Sequence, residues 1–306
     1  MKTKDLITIN ELSQADIGEI FDLTAKLKAE GKISAGEPLK GKTLGLIFQK
    51  PSLRTKVSFV AAMAQLGGTG IYLAPDEVRL GEREEIRDVA RTLSRYLDGI
   101  VARTFKHGDV VELAKYSGIP VINGLSDFSH PCQALTDLYT VREKKGGLKG
   151  LKLAYIGDGN NVCNSLLYIC AKLGVSMAVA APKGYGPDKE VVKSAAEAAG
   201  RTGCRIEFTA DPEKAAAGAD VIYTDVWTSM GQEKEKAKRI KVFKGFQING
   251  KLCSKAAKDY IVMHCLPAHR GEEITEECME GEHSVVFDQA ENRLHIEKAL
   301  LLLLIK

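Results

Sequence analysis

A chain of 306 residues is long enough for two domains of ordinary size. With 44% hydrophobic and 27% charged residues it has the material for a packed core, which excludes a mainly disordered chain. A net charge of +3 excludes an extended nucleic-acid footprint, although small anions need only local charge.

The first residues, Met1-Lys2-Thr3-Lys4-Asp5, carry no apolar h-region, so no signal peptide is expected. The longest apolar run, Leu300 to Ile305, is far too short to span a membrane. Seven cysteines without a CxxC pair suit reduced thiols and a cytoplasmic location.

Residues 9–31 read as a helix that Asn10 can cap, with Ile17, Ile20, Phe21, Leu23 and Leu27 on its apolar face. The run Thr43 to Phe48 reads as a strand. It feeds the polar stretch Gln49-Lys50-Pro51-Ser52-Leu53-Arg54-Thr55-Lys56, after which Phe59, Met63 and Leu66 recur at helical spacing. Two hydroxyls and two cations thus stand at a strand-to-helix junction, where free N–H groups and the helix dipole favour an anion. An ordinary capped helix start with basic neighbours reads equally well. Gly70 to Leu73 is a short strand, and the charged run 82–88 continues as a helix through Leu97. Strand 99–103 ends on Arg103, a helix covers 109–116, and strand 120–123 precedes His130-Pro131-Cys132-Gln133, which opens another helix.

The glycine- and lysine-rich segment 144–150 reads as a domain boundary. Beyond it come strand 151–156, loop Gly157-Asp158-Gly159-Asn160-Asn161, a helix to Leu173, strand 176–181, helix 188–199 and strand 205–208. A short helix begins at Asp211, strand 220–225 runs into a polar loop and the basic stretch 234–244, and the last strands are 260–264 and 284–287. Residues 291–306 form a terminal helix. Repeated β-α-β units imply an α/β fold of two domains, each with a parallel sheet flanked by helices. The expected limits are 1–145 and 150–290, with the helix 291–306 returning to the first domain. In such domains functional residues belong at the C-terminal ends of strands. Phe48 onward, Arg103, Gly157 to Asn161, Asp225 to Gly231 and His264 to Arg270 all fall there, which points to a cleft enzyme.

The local chemistry leaves choices open. His130 and Gln133 at a helix start can hydrogen-bond a carbonyl or carbamoyl group, but His-Pro helix starts also serve structure alone. The loop at Gly157 invites a dinucleotide reading, yet Val162 stands where the third glycine of GxGxxG belongs. Asp225 with Ser229, Met230 and Gly231 reads either as a surface loop or as a lid for a zwitterion. The loop His264-Cys265-Leu266-Pro267-Ala268-His269-Arg270 allows zinc or, with no second ligand pair at known spacing, a role lining the site.

Taken together, four motifs resemble those of the ornithine carbamoyltransferases, within the aspartate/ornithine carbamoyltransferase superfamily. Ser52-Leu53-Arg54-Thr55-Lys56 is similar to the SxRTR phosphate loop, and His130-Pro131-Cys132-Gln133 to the HPxQ segment. Asp225 with Ser229-Met230-Gly231 resembles the ornithine loop, and His264-Cys265-Leu266-Pro267 the HCLP segment. The resemblance implies transfer of a carbamoyl group from carbamoyl phosphate to the δ-amine of L-ornithine, giving L-citrulline and phosphate, in arginine biosynthesis or in reverse in its breakdown. It implies carbamoyl phosphate contacts from Ser52, Leu53, Arg54, Thr55, Arg79, Arg103, His130, Gln133, Cys265, Leu266 and Arg293. Ornithine contacts would come from Asn161, Asp225, Ser229 and Met230, and catalytic roles fall to Arg103, His130 and Cys265. No cofactor and no metal are implied. The expected assembly is a homotrimer or a set of trimers, with no nucleic-acid or membrane partner.

Three positions depart from the pattern. Lys56 replaces a frequent arginine and keeps charge without the planar fork, so it is expected to sit behind the ligand. Arg79 occupies a position that is often glutamine and reaches carbamoyl phosphate from a neighbouring subunit. Val60 replaces a common glutamate. Chemistry assigns Asp225 to the α-ammonium of ornithine. A carboxylate beside the δ-amine would favour its charged form, from which freeing the nucleophile at neutral pH already costs about 4–5 kcal/mol.

Overall fold

The computed structural model describes residues 3–31, 36–229 and 231–305. The chain divides into two compact units, Met1–Thr136 with Glu291–Lys306, and Asp137–Ala290. The first contains α1 (Gln14–Glu30), β1 (Thr43–Phe48), α2 (Leu53–Gln65), β2 (Thr69–Leu73), α3 (Pro75–Val78), α4 (Ile86–Leu93), β3 (Gly99–Arg103), α5 (His107–Tyr116) and β4 (Val121–Leu125). Helix α6 (Pro131–Lys145) runs on into the second unit.

The four strands are all parallel, in the order β2-β1-β3-β4. In β1, Leu44 to Phe48 are buried without alternation, as a parallel strand covered on both faces requires. The chain leaves β1 towards β2 on one side and returns to β3 on the other. This makes the carboxyl ends of β1 and β3 a topological switch point. Phe48 pairs in register with Arg103, and the Gln49 N–H donates to the Arg103 carbonyl at 2.8 Å.

The second unit continues with β5 (Lys152–Ile156), α7 (Asn161–Leu173), β6 (Ser176–Ala180), α8 (Lys189–Thr202), β7 (Ile206–Thr209), α9 (Pro212–Ala216), β8 (Val221–Thr224), α10 (Lys236–Phe243), α11 (Gly250–Cys253), β9 (Ile261–His264) and α12 (Glu276–Glu280). Helix α13 (Val286–Leu304) starts here and ends in the first unit. The sheet is parallel throughout, in the order β7-β6-β5-β8-β9. Its switch point lies between β5 and β8, at Gly157 and Asp225. A buried network braces these strands. Tyr223 donates to Asp137 at 2.9 Å, Gln289 donates to the other Asp137 oxygen at 2.7 Å, and the His264 N–H donates to the Gln289 side-chain oxygen at 3.0 Å.

Several local expectations shift. Helix α1 begins after Ser13, not at Asn10, because Ser13 and Asp16 form a reciprocal capping box; Ile9–Glu11 is a separate turn. The charged run before α4 is not helical, and that helix ends at Leu93. Residues 284–287 contribute a single bridge, Ser284 to Val262, because α13 already starts at Val286. The apolar tail is buried in its own unit, where Ile305 would lie 3.1 Å from a Cβ at Gly99.

Gly159 marks a close approach: a Cβ there would lie 2.2 Å from both the Gly186 carbonyl carbon and the Pro187 nitrogen. Backbone cannot swing aside as a side chain can, so Gly159→Ala is expected to cost about 1–3 kcal/mol in urea unfolding. Gly186→Ala, with nothing within 4 Å of the new methyl, serves as control. Equal stability of the two variants would contradict this account.

Candidate active site

In the first unit the site begins at the start of α2. Ser52 is extended (φ −155°) and its Oγ accepts the Thr55 N–H at 3.3 Å, which caps the helix. Leu53, the first residue of the helix, is 73% exposed. Arg103 closes β3 beside a register slip: Ala102 faces Asn123, whereas Arg103 faces Leu125. Such an irregularity re-aims a side chain. Asn123 donates to the Ile7 carbonyl at 2.9 Å and to the Ser129 carbonyl at 3.4 Å, holding the turn that delivers His130 to α6.

Arg293 enters from α13. Its Nη1 donates to the Gln133 side-chain oxygen at 2.7 Å and its Nη2 to the Thr55 hydroxyl at 3.2 Å. Its Nε and Nη2 also meet Glu297 Oε1 at 3.2 and 2.7 Å. The structure therefore brings Ser52, Thr55, Gln133 and Arg293 into one cluster. His130 joins it: burial, then the charges of Arg293, Arg103 and Arg54, hold its imidazole well below the usual histidine value. Three guanidinium charges close enough to act on a neutral ring form a donor set of the kind an anion requires.

Lys56 turns away from this cluster, with its Nζ 3.5 Å from the centroid of the Tyr72 ring. Arg79 is exposed, in the left-handed region at φ 43°. Among the described residues its side chain has no hydrogen bond or ion pair, so the structure does not bring it to the other site residues.

In the second unit the ends of β5 and β8 carry the polar groups. Asn160 caps α7, its Oδ1 accepting from the Val162 and Cys163 N–H groups at 3.0 and 3.2 Å. Its Nδ2 donates to Asp225 Oδ2 at 2.7 Å. Asp225 Oδ1 accepts from the Val226 N–H at 2.8 Å and from the Cys265 thiol at 2.9 Å. The Asn160 cap occupies two amide hydrogens that a pyrophosphate would use, which counts against the dinucleotide reading of the Gly157 loop. Asn161 and Ser229 are half-buried at loop ends flanking this cluster; Met230 lies outside the described residues.

The loop after β9 is held from within. Leu266 has φ 60°, and its N–H donates to His264 Nδ1 at 2.8 Å, while His264 Nε2 meets Glu273 Oε1 at 3.2 Å. Asp225, His264 and Cys265 bring possible ligand atoms within 4.8 Å of one another. Both His264 nitrogens are engaged, however, so the histidine shapes the loop that presents Cys265 and Leu266.

Sequence reasoning missed four supporting residues. Asn160, beside the expected Asn161, is the one that grips Asp225. Arg239, hidden in the basic stretch, forms a buried ion pair with Asp158 at 2.9 Å and donates to the Trp227 carbonyl at 2.8 Å, joining two loops of the site. Burial pushes the Asp158 carboxyl up to about 6 against the pull of Arg239. Glu273 anchors His264. Glu297 sits four residues after Arg293, a helical pairing that spacing alone could have suggested.

Family comparisons agree with this layout. The carbamoyl-phosphate-binding domain of aspartate/ornithine carbamoyltransferases matches residues 4–143, and the aspartate/ornithine-binding domain matches residues 149–304. The chain belongs to the aspartate/ornithine carbamoyltransferase family. Within it, the chain is 52% identical to the ornithine carbamoyltransferase of Carboxydothermus hydrogenoformans, over 99% of this chain and 97% of the relative. It is 53% identical to the anabolic ornithine carbamoyltransferase of Pyrococcus furiosus, over 98% and 96%. The solved P. furiosus ornithine carbamoyltransferase superposes with a TM-score of 0.95 at 52% identity, covering 98% of this chain and 96% of that one. The Thermus thermophilus ornithine carbamoyltransferase gives 0.91 at 47%, with both chains fully covered.

A proton on His130 would place a fourth cation among three guanidinium groups. Once unfolded, the same histidine takes a proton near pH 6.5. Below that value the unfolded chain binds more protons than the folded one, so this group's contribution to stability is present above pH 6.5 and lost as pH falls. Denaturation of wild type and His130→Gln between about pH 5 and 8 is expected to show a smaller acid loss in the variant. Parallel profiles would refute a neutral His130.

Proposed function

We propose that the protein transfers the carbamoyl group of carbamoyl phosphate to the δ-amine of L-ornithine, forming L-citrulline and phosphate. The observation that carries this reading is the set of three guanidinium groups, Arg54 in the capped first turn of α2, Arg103 and Arg293, whose charges act on buried, neutral His130 before α6. A phosphate dianion fits the arginines, Ser52, Thr55 and the backbone at Leu53. The carbamoyl oxygen then meets the His130 N–H and the Gln133 amide, with the Cys265–Leu266 backbone completing the group's contacts.

Chemistry follows from charge. As the amine adds to the carbamoyl carbon, negative charge builds first on the carbonyl oxygen and then on the departing phosphate. His130 stabilises the first and Arg103, with the other arginines, the second. Asp225 receives the α-ammonium of ornithine, oriented by Asn160, while Asn161, Ser229 and Met230 bind the rest of the amino acid. This leaves the δ-amine away from fixed negative charge, where it can lose its proton. Cys265, in the loop after β9, is assigned to the δ-amine side, where its thiol tunes that loss. Carbamoyl phosphate is an activated donor, so the chain's own groups suffice in this scheme.

We place the enzyme in the cytoplasm, in arginine biosynthesis, as a homotrimer in which Arg79 serves a neighbouring subunit's site. Exposed apolar side chains on α2 and the edge strand β2 (Leu53, Val57 and Ile71) support an assembly through this face. Light scattering of the purified protein tests the trimer.

Citrulline formation from ornithine and carbamoyl phosphate, with aspartate and putrescine as controls, tests the function. Turnover of a control amine in place of ornithine would overturn the specificity. Arg103→Ala is expected to lower kcat/KM at least about a hundredfold through lost charge stabilisation. Cys265→Ser is expected to move the pH dependence of turnover; an unmoved profile would remove the thiol from the mechanism.

A further inference from the structure

One turn beyond Arg293 on α13 lies Glu297, whose side chain has no exposed surface. Its Oε1 takes two N–H groups from one edge of the Arg293 guanidinium, while Gln133 and Thr55 hold the rest of the fork. We propose that Glu297 is a positioning residue for carbamoyl phosphate: it fixes the Arg293 plane, and its own proton sets how much of that arginine's charge acts on a phosphate dianion. This rests on the reading of the first unit as the carbamoyl phosphate half.

The geometry supports both parts. A planar guanidinium held by acceptors on several edges has little freedom to rotate, so its orientation towards a ligand is set before binding. Burial pushes the Glu297 carboxyl up to about 7, with Arg293 pulling the other way. Its charge therefore changes near neutral pH.

The groups facing Glu297 leave it as the member of its surroundings that titrates there. Arg293, on the same helix, is always charged. Ser58, from α2, donates to the Arg54 carbonyl at 2.7 Å, and its hydroxyl also favours the ionised Glu297 carboxylate without titrating itself. Cys132, from α6, has its thiol pushed up to about 12 by burial and by the Glu297 charge itself, so it stays protonated. On the side of α1, Lys28 donates to Asn292 and acts electrostatically on His295.

The sign follows. Protonated, Glu297 leaves the full Arg293 charge to the ligand; ionised, it offsets that charge and repels the dianion. Ligand binding should in turn draw a proton onto Glu297.

The test is the KM for carbamoyl phosphate across about pH 6 to 8.5, for wild type, Glu297→Gln and Glu297→Ala. In wild type KM for carbamoyl phosphate, at saturating amine, is expected to rise severalfold with pH, apart from the rise in kcat that deprotonation of the amine brings. Glu297→Gln keeps an acceptor for Arg293 but cannot ionise, and is expected to hold a flat KM near the wild-type acid value. Glu297→Ala loses the acceptor and should raise KM at every pH. Parallel KM profiles for wild type and Glu297→Gln overturn the proposal even if the alanine variant fails to fold. The KM for carbamoyl phosphate is read with whichever amine the enzyme carbamoylates. If the enzyme carbamoylates an amine other than ornithine, the function proposed above fails while the Glu297 profile still decides.

Discussion

A buried guanidinium needs acceptors on every edge, and meeting that need for Arg293 assembles the first unit's site. The residue arrives on the last helix, 160 positions after Gln133 and 238 after Thr55. It gives the start of α2 and the start of α6 a common partner. With it, the hydroxyl of Thr55, the amide of Gln133 and the carboxylate of Glu297 are all oriented by one cation. Removing any acceptor leaves part of a buried charge uncompensated, which costs far more than an ordinary hydrogen bond returns.

The same logic governs the second unit with the sign reversed. Asp225 is buried and takes its compensation from Asn160, the Val226 N–H and the Cys265 thiol. Asn160 caps α7 with one end of its amide and grips Asp225 with the other, so a helix start and a strand end are locked together. Behind them the Asp158–Arg239 pair and the Asp137, Tyr223 and Gln289 network supply rigidity. Functional groups on loop ends thus rest on polar contacts that are satisfied inside the protein.

Crowding cations has a direct chemical consequence. Arginine cannot give up its charge, so the pressure falls on His130, which stays neutral. A neutral imidazole keeps one N–H to donate and does not compete with the arginines for phosphate. Glu297 feels the opposite pressure, from burial, and is offset only in part by Arg293.

Much of this was legible in the sequence. Apolar runs of strand length alternating with helical periodicity determined two parallel α/β units, because side-chain period follows directly from backbone geometry. The motifs at Ser52, His130, Asp225 and His264 were visible because polar residues at strand ends break that pattern. The sequence was less decisive where local signals compete. At the amino end the Ser13–Asp16 box prevailed over Asn10, and at residues 284–287 the start of α13 ended a strand-like run. Strand order, and with it the two switch points, was decided only by tertiary structure, since every parallel order satisfies the same hydrophobic pattern. The partners of buried charge were decided there too. Nothing local distinguishes Arg239 from the lysines beside it, or makes Glu297 more than a helical neighbour of Arg293, until burial requires each charge to be paired.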